Sequence, residues 1–239
     1  MINKHYGLIK SHTINNINNL CNNIDDKLNI VLDLDNTIIY SKIIDSTDIM
    51  KIKYFEFFEN KNLLGKFNIN KKTYLVYIRP YFSYFLNTIK MYFNLYIYTN
   101  SQEIYCYNVI NLLKNKYQNF EIKKVLCKNI TGSLIKQLSM ISDNQDDLHF
   151  LNNVPIYSEF IKKTIIIDDD KNVWKFDLDN LIDVKPFNEI DNDTNLPDDT
   201  LLILTNRLFL IHCFFFSNNK FDNINDVKKL ISQYKLYNN

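Results

Sequence analysis

At 239 residues, the chain has room for one large domain or one domain carrying an insertion, since domains run to about 150 residues. Hydrophobic residues make up 46% and charged residues 23%, which argues against disorder, while a net charge of +1 with scattered lysines leaves no basic stripe for nucleic acid or anionic lipid. The four cysteines, at 21, 106, 127 and 213, are too dispersed for paired zinc ligands, and no secretory apolar segment opens the chain, so the expectation is a reducing, intracellular setting.

Residues 1–28 are rich in Asn, Ile and Lys without strong periodicity and read as a short lead-in. The run 29–34 is continuous and β-rich, as a strand buried on both faces requires. Residues 43–78 differ: 51–58 and 72–78 alternate aromatic, aliphatic and charged residues around 60–64 and Gly65, the pattern of a β-hairpin or flap inserted after the first strand. Pro80 suits the first turn of a helix over 81–92. A second strand is expected at 95–98, and Ser101 offers an N-cap for a helix to about Lys114. Further strand-length runs follow at 122–126, 164–167 and 181–184, separated by a polar insertion at about 143–159. An acidic loop at 191–200 precedes a helix over 200–216, which is apolar but short for a membrane span and contains Asn206, Arg207 and His212. A last helical pattern covers 224–236, within a C-terminal helical segment at 217–239. The fold expected is α/β: a doubly wound, mainly parallel sheet over 29–216 with a β-flap after its first strand.

Three of the apolar runs end in polar residues: Asp33-Leu34-Asp35-Asn36-Thr37, Thr99-Asn100-Ser101, and Asp168-Asp169-Asp170. Ligands of open α/β sheets bind beyond the carboxyl ends of the strands, so these ends should converge on one crevice. Two carboxylates two residues apart can divide the work, Asp33 attacking a phosphorus and Asp35 protonating the leaving oxygen. Crowded carboxylates need a cation, and Mg²⁺ suits oxygen ligands: Asp33, Asp169 and the backbone carbonyl of Asp35 form a candidate set. Thr99, backbone amides and one lysine would serve as phosphate donors.

The Asp33-to-Thr37 run resembles the DxDx(T/V) signature of the haloacid dehalogenase (HAD) superfamily, and other segments narrow the likeness to its CTD phosphatases. Ile78-Arg79-Pro80 with Phe82 and Phe85-Leu86 resembles their xRPxxxxFL segment, and residues 95–99 resemble their second motif. Residues 167–174 are similar to IDDRxDVW and residues 180–187 to NLIxVxPF, the former closer to the TFIIF-associated type than to the small CTD phosphatases. Two departures stand out: Asp170 replaces the usual Arg and Tyr81 the usual Gly.

The resemblance implies a Mg²⁺-dependent serine/threonine phosphatase with an aspartyl-phosphate intermediate. Phosphorylated RNA polymerase II C-terminal repeats or a similar phosphopeptide would be the substrate, and the nucleus the location. It makes Asp33 the nucleophile, Asp35 the acid and then the base, Thr99 and Lys136 phosphate ligands, Asp169 a metal ligand, and Asp168 a group that orients the lysine or a metal-bound water. Lys136-Gln137-Leu138-Ser139 is similar to the family's KDLS stretch, with Lys128, Lys162 and Lys163 as competitors. Two other readings are a nucleic acid 3′-phosphatase of the same superfamily, disfavoured by the missing basic track, and a noncatalytic binding module. Packing roles are expected for Trp174 and His212, and a positioning role for Arg79. Some flap aromatics among Tyr54, Phe55 and Phe57 could line a peptide pocket.

Overall fold

The structure, a computed structural model, describes residues 26–58, 62–118, 120–128, 134–142, 159–188, 198–216 and 225–235. The lead-in up to residue 25, the insertion at 143–158, most of the acidic loop, and residues 217–224 and 236–239 lie outside the described residues.

The central sheet has five strands: β1 (Leu28–Leu32), β5 (Phe93–Tyr98), β6 (Lys124–Leu126), β7 (Thr164–Asp168) and β8 (Leu181–Asp183). Their order is β6-β5-β1-β7-β8, with every neighbouring pair parallel. β1 is central, Leu32 lying opposite Ile97 on one side and Ile167 on the other.

Alternating residues of β1 face different layers, as strand geometry requires. Ile30 and Leu32 pack with the apolar faces of α2 (Phe82–Tyr92), α3 (Glu103–Lys116), α4 (Thr200–Phe216) and α5 (Val227–Lys235). Val31 packs on the opposite face with Tyr96, Tyr98, Ile166, Trp174 and the 3₁₀ turn Leu138–Met140. Burial on both faces explains why these strands read as continuous apolar runs.

The flap is a separate antiparallel sheet of order β2-β4-β3, built from β2 (Ile39–Asp45), β3 (Leu63–Ile69) and β4 (Lys72–Ile78). It begins at residue 39 rather than 43. Its 51–58 segment, read from sequence as strand, belongs to helix α1 (Ile49–Phe58). Among the described side chains of this helix only Ile52 is fully buried, with Phe55 packed partly buried on the same cluster, while Ile49, Met50, Tyr54 and Phe57 are exposed, so the inward stripe is too short to announce a helix. β3 lies close on α3, where a Cβ added to Gly65 would come within 2.8 Å of Leu112, so glycine permits this approach.

Two helix starts also differ from expectation. Pro80 precedes the N-cap of α2, which is Tyr81 in the left-handed region (φ 64°). The N-cap of α3 is Gln102, not Ser101, and no side chain caps it.

Candidate active site

The three polar strand ends do converge. The sheet ladder continues one residue past β1, the Asp33 amide donating to the Ile167 carbonyl at 3.0 Å, so Asp33 is held beside Asp168 at the end of β7. Asp33 and Asp168 extend the rows of Val31 and Ile166, on the face where Tyr98 and Trp174 pack. Lys136 enters from that face, its backbone amide bonded to the Val173 carbonyl at 2.7 Å.

The Lys136 ammonium, almost fully buried, donates to Asp33 Oδ1 and to Asp168 Oδ2, each at 2.6 Å. Burial alone would push the ammonium's pKa down, but the two carboxylates outweigh it and hold it above the ordinary lysine value. Of the competing lysines, Lys163 pairs with Glu159 at the surface, 3.1 Å away. Asp168 is fixed from three sides, because Oδ2 also accepts the Trp174 indole N–H at 2.8 Å and Oδ1 accepts the Asp170 amide at 2.9 Å. Asp170 itself turns outward, accepting from the Asn172 backbone and side chain.

Asp169 faces the loop after β1. Its Oδ1 accepts from the Thr37 hydroxyl at 3.1 Å, and its amide donates back to that hydroxyl at 3.1 Å. That loop turns at Asn36, whose positive φ of 58° asparagine tolerates well. Asp33, Asp168 and Asp169 each offer a carboxylate oxygen within 4.8 Å of the others. Burial pushes Asp33 well above the ordinary carboxylate range despite Lys136, and burial followed by the Asp168 charge pushes Asp169 up.

Three carboxylates therefore face one ammonium, an imbalance that a divalent cation would correct. The donors are all oxygens, the set that suits Mg²⁺. The grouping brings Asp168 into the carboxylate cluster, whereas the sequence reading put Asp33, Asp169 and Asp35 together.

The Asp35 side chain points elsewhere. Its Oδ2 accepts from the Ser101 hydroxyl at 2.5 Å and its Oδ1 from the Tyr105 phenol, and burial pushes the carboxyl's pKa up against these bonds. The Ser101 hydroxyl thus serves the carboxylate instead of capping a helix. Tyr105 had no place in the sequence reading and Ser101 entered it as part of the second polar strand end and as a candidate N-cap, not as a partner of Asp35, although both follow Thr99 within two turns of chain at the end of β5. Thr99 is buried, and its hydroxyl accepts the Ser101 amide at 3.1 Å. A cavity of about 310 Å³ opens beside Asp35, lined by Tyr40, Ser41, Ile43, Tyr74, Ser101 and Tyr105 among others. The aromatics of this lining are not the expected Tyr54, Phe55 and Phe57.

Arg79 is a hub away from the carboxylate cluster. Its fully buried guanidinium donates to the Thr37 and Lys185 carbonyls, the Thr200 hydroxyl and the Asp198 carboxylate at 2.7–2.9 Å. It thereby ties the loop carrying Thr37 to the residues before α4. Asp198 belongs to the stretch read from sequence as a solvated loop, but here it is half-buried and paired.

The family model for NLI interacting factor-like phosphatases matches residues 28–213, which spans the central sheet, the flap and every site residue named above. The CTD small phosphatase-like protein 2 of Dictyostelium discoideum is 26% identical over 173 residues, 71% of this chain but only 26% of that protein. The putative CTD phosphatase-like protein 355R of Invertebrate iridescent virus 6 is 30% identical over 179 residues, 70% of this chain and 89% of that protein. The fold is shared with the fission yeast RNA polymerase II CTD phosphatase Fcp1 bound to beryllium fluoride, at a TM-score of 0.50 and 21% identity, covering 96% of this chain and 55% of that one. This chain belongs to the NLI interacting factor-like phosphatase family.

Proposed function

We propose that this protein is a Mg²⁺-dependent phosphoprotein phosphatase that removes phosphate from serine or threonine through an aspartyl-phosphate on Asp33. The observation that carries this reading is the placement of Asp33. It ends the central strand, bonded to a buried lysine and grouped with two further carboxylates, while a second carboxyl, Asp35, lies two residues on.

In this account Asp33 attacks the phosphorus in line and the bond to the serine oxygen breaks. Asp35 gives its proton to the departing oxygen and then takes one from the water that hydrolyses the aspartyl-phosphate. Lys136 and Thr99 hold phosphate oxygens, and Asp168 keeps Lys136 aimed. Asp33, Asp169 and the Asp35 carbonyl would hold Mg²⁺, with Asp168 beside them. The bound metal supplies charge neutralisation for the phosphoryl group.

The substrate class follows from the likeness to CTD phosphatases: a phosphoserine peptide such as the RNA polymerase II C-terminal repeats, with a nuclear setting. The cavity beside Asp35 supports a peptide rather than a free small phosphate, because Tyr40, Ile43, Tyr74 and Tyr105 give it an apolar share among polar residues.

The test is phosphate release from a phosphoserine CTD peptide and from p-nitrophenyl phosphate, with Mg²⁺ or EDTA, for the wild type and Asp33→Asn. Metal-dependent turnover that the substitution abolishes is the expected result. Folded wild type with no turnover on either substrate would overturn the proposal in favour of a binding module.

A further inference from the structure

Tyr105 stands where the central domain meets the flap. It projects from the first turn of α3, yet its ring packs against the stacked pair Phe67 of β3 and Tyr74 of β4, with centroids 5.6 and 5.4 Å away. Its hydroxyl has two neighbours, Asp35 Oδ1 and the Ser41 hydroxyl of β2, the latter at 2.6 Å. A phenol has one proton, and the Tyr105 hydroxyl gives it to Asp35 Oδ1, so Ser41 is the donor to Tyr105. The other Asp35 oxygen is taken by Ser101. Two hydroxyls on opposite oxygens fix the plane of a carboxyl group, and one of the two is anchored in the flap.

We propose that Tyr105 is a positioning residue which, relayed by Ser41, fixes the Asp35 carboxyl toward the leaving oxygen and makes that aim depend on the docked flap. This rests on the reading of Asp35 as the acid given above. The flap then does more than wall the cavity, because the same strand that lines it, through Tyr40, Ser41 and Ile43, also sets the acid.

Leaving-group dependence tests this. The value of kcat/KM reports events up to phosphoryl transfer to Asp33, and that step needs a proton for a serine alkoxide far more than for p-nitrophenolate. In Tyr105→Phe, kcat/KM for the phosphoserine peptide should fall about tenfold further than for p-nitrophenyl phosphate, with Ser41→Ala moving in the same direction by less. In an Asp35→Asn background, Tyr105→Phe should then cost nothing more on the peptide, since the group it acts through is gone.

Equal losses on both substrates, no loss on the peptide, or additive losses in the double variant would each overturn the proposal. Wild type inactive on both substrates would instead overturn the phosphatase reading beneath it. Circular dichroism of each variant separates a change in aim from a failure to fold.

Discussion

The Lys136 ammonium bridges the ends of two adjacent strands, 2.6 Å from Asp33 after β1 and 2.6 Å from Asp168 in β7. This bridge lets three carboxylates sit together in a buried place. Replacing Lys136 by Met keeps the stem's volume and removes the ammonium that pairs with Asp33 and Asp168. Turnover should fall by at least about 100-fold, because in the proposed account the transferring phosphoryl group loses a charged ligand. Steady-state phosphate release at saturating Mg²⁺ checks this, and a loss of under tenfold would mean that Lys136 is dispensable to the site.

Arg79 should matter more to the fold than to the chemistry. Lysine has neither the fork nor the number of donors to reach Thr37, Lys185, Thr200 and Asp198 at once. Arg79→Lys keeps the charge but leaves some of these acceptors short of a donor, at a cost of about 1–3 kcal/mol. Chemical denaturation should show that loss, with Asp198→Asn losing less because the guanidinium keeps its other acceptors.

Tyr81 stores backbone strain. It holds φ 64° and ψ 10°, and its side chain is substantially exposed, so little packing would be lost with the ring. A left-handed conformation costs an L-residue about 1–2 kcal/mol, which glycine avoids at a smaller entropic penalty. Tyr81→Gly should raise stability by about 0.5–1 kcal/mol in urea unfolding. Tyr81→Val should lower it.

His212 gives the fold a pH dependence of definite sign. Its ring lies among Tyr92, Phe93 and Phe216, Nε2 is 3.1 Å from the Asp26 carbonyl, and burial pushes its pKa below the ordinary value. The unfolded chain thus takes the proton first. Stability should be intact above the unfolded value of about 6.5 and decline as pH falls through it toward the lower folded value. In His212→Gln this part of the decline disappears, so the stability gap between the two proteins should close between about pH 7.5 and pH 5.5. A gap independent of pH would show that His212 does not titrate differently in the two states.

The parallel sheet was legible in the sequence because its strands are buried on both faces and so are continuous runs of Ile, Leu and Val. The convergence of Asp33, Asp168 and Asp169 followed from the rule that strand ends meet at one crevice. The α1 helix was misread because its charged residues alternate with apolar ones over 51–54 and 55–57 like a strand's, and its inward face among the described side chains is little more than Ile52 and Phe55. Tyr105, and the bond of Ser101 to Asp35, were missed for a different reason. Their partners, Asp35 and Ser41, are more than 60 positions away in the chain, and a hydroxyl aimed at a distant carboxylate leaves no periodic mark. Ser101 even imitates an N-cap. Arg79 was legible as a positioning residue, but its partner Asp198 sits in a stretch whose composition spoke only of solvent.

The most direct test of the central claim is to quench the wild type in acid during turnover of a ³²P-labelled phosphoserine peptide and locate the label by proteolysis. The account requires phosphate on the peptide containing Asp33 in the wild type and none in Asp33→Asn. Label on another residue, or turnover that persists in Asp33→Asn, would contradict it.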